Sequence, residues 1–193
     1  MASFLGLEYI TPYTPILERT VDSELTLDRS RSIVAYPGTN WRFTITLERA
    51  KREKVAELAV HRAKFFGQGS FSIEIPQLLG VNIPSQAVNV RGGQAAGSSR
   101  LNISSRANAG VGVYFNIAGD PTLYQIFALE GSLPSATYEI VPPLRRNAAN
   151  GARLNFNPTA RVRYHPSGSV SVTVGDHNEA RISLDLEEVK ARA

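Results

Sequence analysis

Residues 47–76 read LERAKREKVAELAVHRAKFFGQGSFSIEIP, and the changes of period inside this stretch decide the fold. Just upstream, NWRFTITL (40–47) puts Trp41, Phe43, Ile45 and Leu47 at alternate positions, with Arg42, Thr44 and Thr46 between them. That is the pattern of a half-buried strand. The chain then carries about twenty charged, Ala-rich residues with neither Pro nor Gly, a helix by the usual start and stop signals. Val55, Leu58, Ala59, Arg62, Phe65 and Phe66 follow the i, i+3, i+4, i+7 spacing, with Ala63 beside them, giving one narrow apolar stripe. Lys51, Arg52, Glu53, Lys54, Glu57 and His61 fall on the other faces, so His61 is expected to face solvent. Gly67 stands where a left-handed C-terminal cap wants a glycine. Phe71, Ile73 and Ile75 then restore period two. A lone helix between two strands predicts a crossover that covers a sheet. Burying Leu58, Phe65 and Phe66 contributes about 1.5–3 kcal/mol each.

Working outward, SELTLDRSRSIVAY (23–36) alternates less cleanly, and AYPGTN (35–40) reads as a Pro-Gly turn joining it to the Trp41 strand. From Pro84 the texture changes. PSQAVNVRGGQAAGSSR (84–100) is small, polar and Gly-rich, and is expected to be a loop or linker at a domain boundary. Beyond it RLNIS, VGVYFNI, LYQIFAL, ATYEIV, ARLNF and ARVRY are short strands separated by Gly, Asn and Pro turns, which predicts a small barrel or sandwich. The tail alternates at Val170, Val172 and Val174, turns at GDHNE (175–179), and alternates again at Ile182, Leu184 and Leu186. It is predicted as a hairpin returning to the first domain. The fold class expected is therefore mainly β, a sandwich or barrel with one crossover helix plus an inserted small barrel. The division is 1–85 with 167–193 for the outer domain and 86–166 for the insert.

The 193 residues are 42% hydrophobic and 20% charged, without cysteine. This composition is that of a soluble globular chain. It excludes a disulfide framework, Cys-based zinc sites and Cys nucleophiles, and fits assembly in a reducing cytosol. The opening MASFLGLEYITPYTP shows no basic leader, and no run of about 18 apolar residues occurs, so neither a signal peptide nor a membrane partner is expected. Net charge is +4, with a sequence pI of about 9.6. The basic residues are scattered, which disfavours a nucleic-acid interface. Arg145-Arg146 and the pair Arg161 and Arg163 are expected on solvated strand faces.

No catalytic, metal or cofactor constellation emerges. His165 precedes Pro166 in a turn, and His177 sits in an Asp- and Asn-rich turn whose spacing matches no metal-ligand set. No Gly-x-Ser-x-Gly elbow occurs, and RGGQAAGSSR lacks the ending of a phosphate-cradling loop. Glu187 and Glu188 are adjacent on a strand and point to opposite faces. Tyr114, Phe115, Tyr124, Phe127 and Tyr138 are the aromatics a barrel could offer to stacked ligands. Of these, Tyr114 and Tyr124 are out of phase with the neighbouring aliphatics and are expected to point outward, covering turns or edges rather than serving as a ligand platform.

The order of pieces resembles siphophage distal tail proteins of the T-five type. ERTVDSELTLDRSRSIVAYPGTNWRFTITLE (18–48), the helix, and FFGQGSFSIEIP (65–76) with its Gly67-Gln68-Gly69-Ser70-Phe71 strand entry resemble the start of that family. VPPLRR (141–146), FNPTARVR (156–163) and the closing ISLDLEEV (182–189) resemble its later pieces. The Gly-rich loop from Arg91 to Ser99 has no counterpart in that pattern. The resemblance implies a ring-forming domain carrying an inserted barrel of the oligonucleotide/oligosaccharide-binding (OB-fold) type. It further implies a structural virion protein rather than an enzyme. Such a protein is a hexameric ring, assembled in the host cytoplasm, that links the tail tube to the tail-tip or baseplate proteins, with DNA only passing through its lumen. The alternative is a carbohydrate-binding module in which the barrel contacts host surface saccharides. The isolated barrel as a single-strand nucleic-acid binder ranks below both, and an enzyme last.

Overall fold

The alternation at 40–47 is realised as strand in the computed structural model, which describes residues 3–4, 7–8, 16–25, 31–65, 69–78, 80–104, 109–132, 135–166, 170–174 and 179–189. Trp41, Phe43, Ile45 and Leu47 are buried and belong to β4 (Arg31–Lys51). A short hairpin, β1 (Ser3–Phe4) with β2 (Leu7–Glu8), precedes it. The chain is mainly β, with a single helix among the described residues.

The first sheet runs in the order β3 (Ile16–Leu25), β4, β14 (Glu179–Glu188), β12 (Thr159–Tyr164), β5 (Phe71–Glu74). β13 (Val170–Val174) pairs with Ala180–Leu184 of β14, while β12 takes its Leu186–Glu188 end. Every pairing is antiparallel. β4 is shared along its length: Arg31–Arg42 pairs with β3, and Arg42–Lys51 pairs with β14. The β3–β4 ribbon therefore extends beyond β14. Helix α1 (Arg52–Phe65) covers this sheet and adds Leu58 to its core.

The second sheet runs β11 (Leu154–Asn155), β8 (Tyr114–Ile117), β9 (Asp120–Ser132), β10 (Ser135–Val141), β7 (Arg100–Ser104), β6 (Asn89–Val90). Its two ends meet. Val90 N–H donates to Ala152 O at 2.8 Å, Gly151 N–H to Val90 O at 2.8 Å, and Leu154 N–H to Val88 O at 2.9 Å. The result is a nearly closed six-strand barrel with its own core, including Leu101, Ile103, Phe115, Tyr124, Ile126 and Tyr138. Closure leaves few unpaired strand edges.

Several expectations are corrected. Among the described residues the helix has 14, against about twenty expected; Phe66 and the expected cap Gly67 lie outside the described residues. Pro37-Gly38 is not a turn but lies within β4. The segment 84–100 is not a linker. Its Gln94 pairs with Ala148, each amide donating to the other's carbonyl at 3.0 and 2.8 Å, and Gly97 N–H donates to Leu144 O at 2.7 Å. Asn147 and Asn150 side chains accept from Ala96 and Gly92 amides, so small residues here serve close backbone approach. ARVRY, expected in the inserted barrel, forms β12 and pairs with β5 and β14 in the first sheet. The tail alternation does form the antiparallel pair β13–β14, and β14 lies against β4.

Candidate functional site

Two places in the fold carry features that its cores do not require. The first is a buried polar joint where the barrel meets the first sheet. Tyr114 and Leu123, from barrel strands, sit in the first sheet's core. Trp41 Nε1 donates to Leu123 O at 2.9 Å, and Leu123 N–H donates to Glu188 Oε1 at 3.1 Å. Arg145 Nη2 lies 3.0 Å from Glu188 Oε2. Glu188 is 3% exposed. Burial holds its carboxyl above the usual range, against the pull of Arg145 and of the Leu123 and Trp41 amides, because desolvation outweighs attraction for a carboxylate taken this far from water.

Around this pair the donors and acceptors form a chain. Arg145 N–H donates to the Tyr124 hydroxyl at 3.1 Å, which donates to Asp120 Oδ2 at 2.6 Å. Asp120 Oδ1 accepts from Thr122 N–H at 3.0 Å. Burial and the Asp120 carboxylate push the Tyr124 phenol well up. Asn116 donates to Thr122 O and accepts from Thr159 N–H, both at 2.8 Å, tying β8 to the start of β12. Gln77 donates to Tyr114 O and Phe156 O at 2.6 and 2.7 Å and accepts from Tyr114 N–H at 2.8 Å. Such a network fixes orientation, and the buried Thr122 Oγ1 stays outside it.

The second feature is an open apolar groove between α1 and β13. One hollow of about 590 Å³ is lined by Val55, Leu58, Ala59, Arg62, Ala63, Val170 and Val172. A second of about 490 Å³ continues along Ala50, Val55, Ala56, Ala59, Val172, Val174 and Ala180. Val172 and Val174 are 44% and 72% exposed. The helix stripe is thus split: Leu58 is buried, while Ala59 and Ala63 are exposed along the groove.

The residues singled out from the sequence are dispersed. His61 does not face solvent. It is half-buried among Phe4, Phe65 and Phe71, with Nδ1 2.9 Å from the Tyr164 hydroxyl, and burial lowers its pKa. His165 is half-buried, 3.8 Å from Glu187; His177 lies outside the described residues. Glu187 faces Arg163 and Glu188 faces Arg145, so the two carboxylates do diverge. Arg145 is not on a solvated face but in the joint, whereas Arg161 and Arg163 are exposed. Tyr114 and Tyr124 point inward, not outward, as do Phe115 and Tyr138; Phe127 alone of the five is exposed, at 66%. It sits where the β9–β10 register shifts, and a bulge there turns a residue out of the alternation. Among the described residues no group of three or more His, Asp or Glu side chains converges, and no helix is long and apolar enough to cross a membrane. Sequence reasoning missed the Arg145–Glu188 joint, because nothing in a strand pattern links positions 43 apart.

No family model matches the chain, and no curated protein is significantly similar to it in sequence.

Proposed function

We propose that the protein is a structural subunit of a phage tail, a distal tail protein whose copies close into a six-membered ring between the tail tube and the tail-tip or baseplate proteins. On this reading it assembles in the host cytoplasm, belongs to the virion and lets DNA pass through its lumen. The observation that supports it most is the division of labour in the fold. The terminal segments, with β5 and β12, build one sheet in which β3, β5 and β13 each have a single strand partner among the described residues, while the middle of the chain closes on itself as a barrel. A sheet with open edges on both sides is suited to repetition, and head-to-tail contacts between copies generate rings. The buried joint supports a load-bearing role, since it fixes the barrel without offering a reacting group to solvent. The saccharide reading loses its main support with Tyr114, Phe115, Tyr124 and Tyr138 all in cores.

Mass measurement and negative-stain imaging of the full chain test this. The expected outcome is a closed particle near 126 kDa, six times the 21.0 kDa chain. A particle that stays monomeric up to high concentration, alone and with its tail-tube partner, overturns the proposal.

A further inference from the structure

The β3–β4 ribbon and the α1–β13 groove each lack something that the other supplies. Arg31–Arg42 of β4 has β3 as its strand partner, and β14 reaches only as far as Arg42. Among the described residues β4 is the one substantial neighbour of β3. A two-stranded ribbon standing alone in water is at best marginally stable, so an arm of this length calls for a surface to lie on. Its register places Val21 opposite Ala35 and Ser23 opposite Ile33.

The groove is the matching surface. Its walls are small or β-branched apolar residues, Ala56, Ala59 and Ala63 on the helix and Val172 and Val174 on β13. Small helix residues let a backbone approach closely. The far side of β13 carries no paired strand among the described residues, so its backbone donors and acceptors are available to an added strand. Charge fits as well. Helix α1 carries four basic residues, Arg52, Lys54, Arg62 and Lys64, against Glu53 and Glu57. Strand β3, the strand added beside β13, carries three acidic residues, Glu18, Asp22 and Glu24, against Arg19, and the β4 half of the ribbon adds Arg31.

Within one chain the two cannot meet, because β4 and β14 stand between β3 and β13 in the sheet. We propose that the β3–β4 arm of one copy docks in the α1–β13 groove of the next, adding β3 beside β13. The contact is heterologous: each copy gives an arm and receives one, so the chain of contacts either closes or propagates. This rests on the ring reading and names the surfaces that make the ring.

The chain contains no cysteine, so a designed pair reports contact cleanly. Full-length protein carrying Ser23→Cys on β3 and Thr173→Cys on the exposed β13 is treated with a short bifunctional maleimide and run under denaturing conditions. The expected result is a ladder of covalent multimers ending at the ring size, with neither single-cysteine variant giving more than a trace. Efficient dimer from Thr173→Cys alone means that two grooves face each other across a two-fold axis and overturns the arm-in-groove contact. Rings that assemble normally but give no ladder also overturn it, while leaving the ring reading intact. A wild type that never assembles removes the ring reading itself. As a second variant, Val172→Glu with Val174→Glu charges an exposed strand. It is expected to shift assembly to monomer by more than tenfold in concentration while the circular dichroism spectrum stays that of the wild type. An unchanged assembly midpoint in that variant counts against the groove.

Discussion

Removing the Glu188 carboxylate leaves the Leu123 and Trp41 amides and the Arg145 guanidinium without their acceptor. Glu188→Ala is therefore expected to cost about 3–5 kcal/mol, read as a shift in the urea midpoint at constant slope. Glu188→Gln keeps an acceptor and tests the titration separately. Burial raises the native carboxyl above 4.5, so above that pH the unfolded chain sheds this proton while the native state keeps it. Stability is complete below 4.5 and falls as pH climbs through the native value, and Glu188→Gln flattens this slope. His61 works on the other side. Its native pKa is depressed below 6.5, so its contribution is whole above 6.5 and fades as the solution is acidified. His61→Gln, which still reaches the Tyr164 hydroxyl, is expected to remove that acid-side loss in stability–pH profiles. Neither environment is legible from the sequence. Glu188 reads as one of two adjacent carboxylates pointing to opposite faces of a strand and His61 as one polar residue on a polar helix face, because local spacing reports phase and not what the fold brings against it.

At the scale of elements, period carried the reading far. Trp41, Phe43, Ile45 and Leu47 are buried at the positions their alternation marks, and Ile73 and Ile75 likewise. The helix-to-strand passage has a specific stereochemical demand. A Cβ at Gly69 would stand 2.6 Å from Phe65 Cδ1 and 2.8 Å from Phe65 Cα. Gly69→Ala is therefore expected to push the helix end from the sheet and lower stability by about 1–3 kcal/mol, measurable as a lower Tm. Leu58→Ala, inside the same interface, is expected to cost about 2–5 kcal/mol. Pattern failed where small polar residues made backbone contacts. The 84–100 segment has little to bury and so reads as a linker, yet its amides and carbonyls pair with 144–151. Pro37-Gly38 misled for the converse reason: two turn-forming residues sit in a strand.

For the molecule as a whole, the sequence conveyed a mainly β chain with a barrel in its middle and a returning tail. It misassigned β12, since ARVRY alternates as any barrel strand would and only its partners β5 and β14 decide its sheet. The two cores are welded by Trp41, Leu123 and Glu188, and calorimetry is expected to show one cooperative transition. Trp41→Phe with Glu188→Gln, which loosens the weld, is expected to separate it into two. A last consequence follows from the register of β5 and β12. Glu74 lies opposite Thr159, and Ile75 N–H donates to Pro158 O at 2.9 Å, so the chain leaves for its excursion and comes home at the same doorway. Everything between Gln77 and Phe156 is, in geometric terms, an enlarged hairpin loop. Exchanging it for an Asn-Gly turn would leave a minimal sheet and helix, with the newly bared Trp41 and Glu188 needing polar company, and different cargo modules are graftable at that doorway without disturbing the strands on either side.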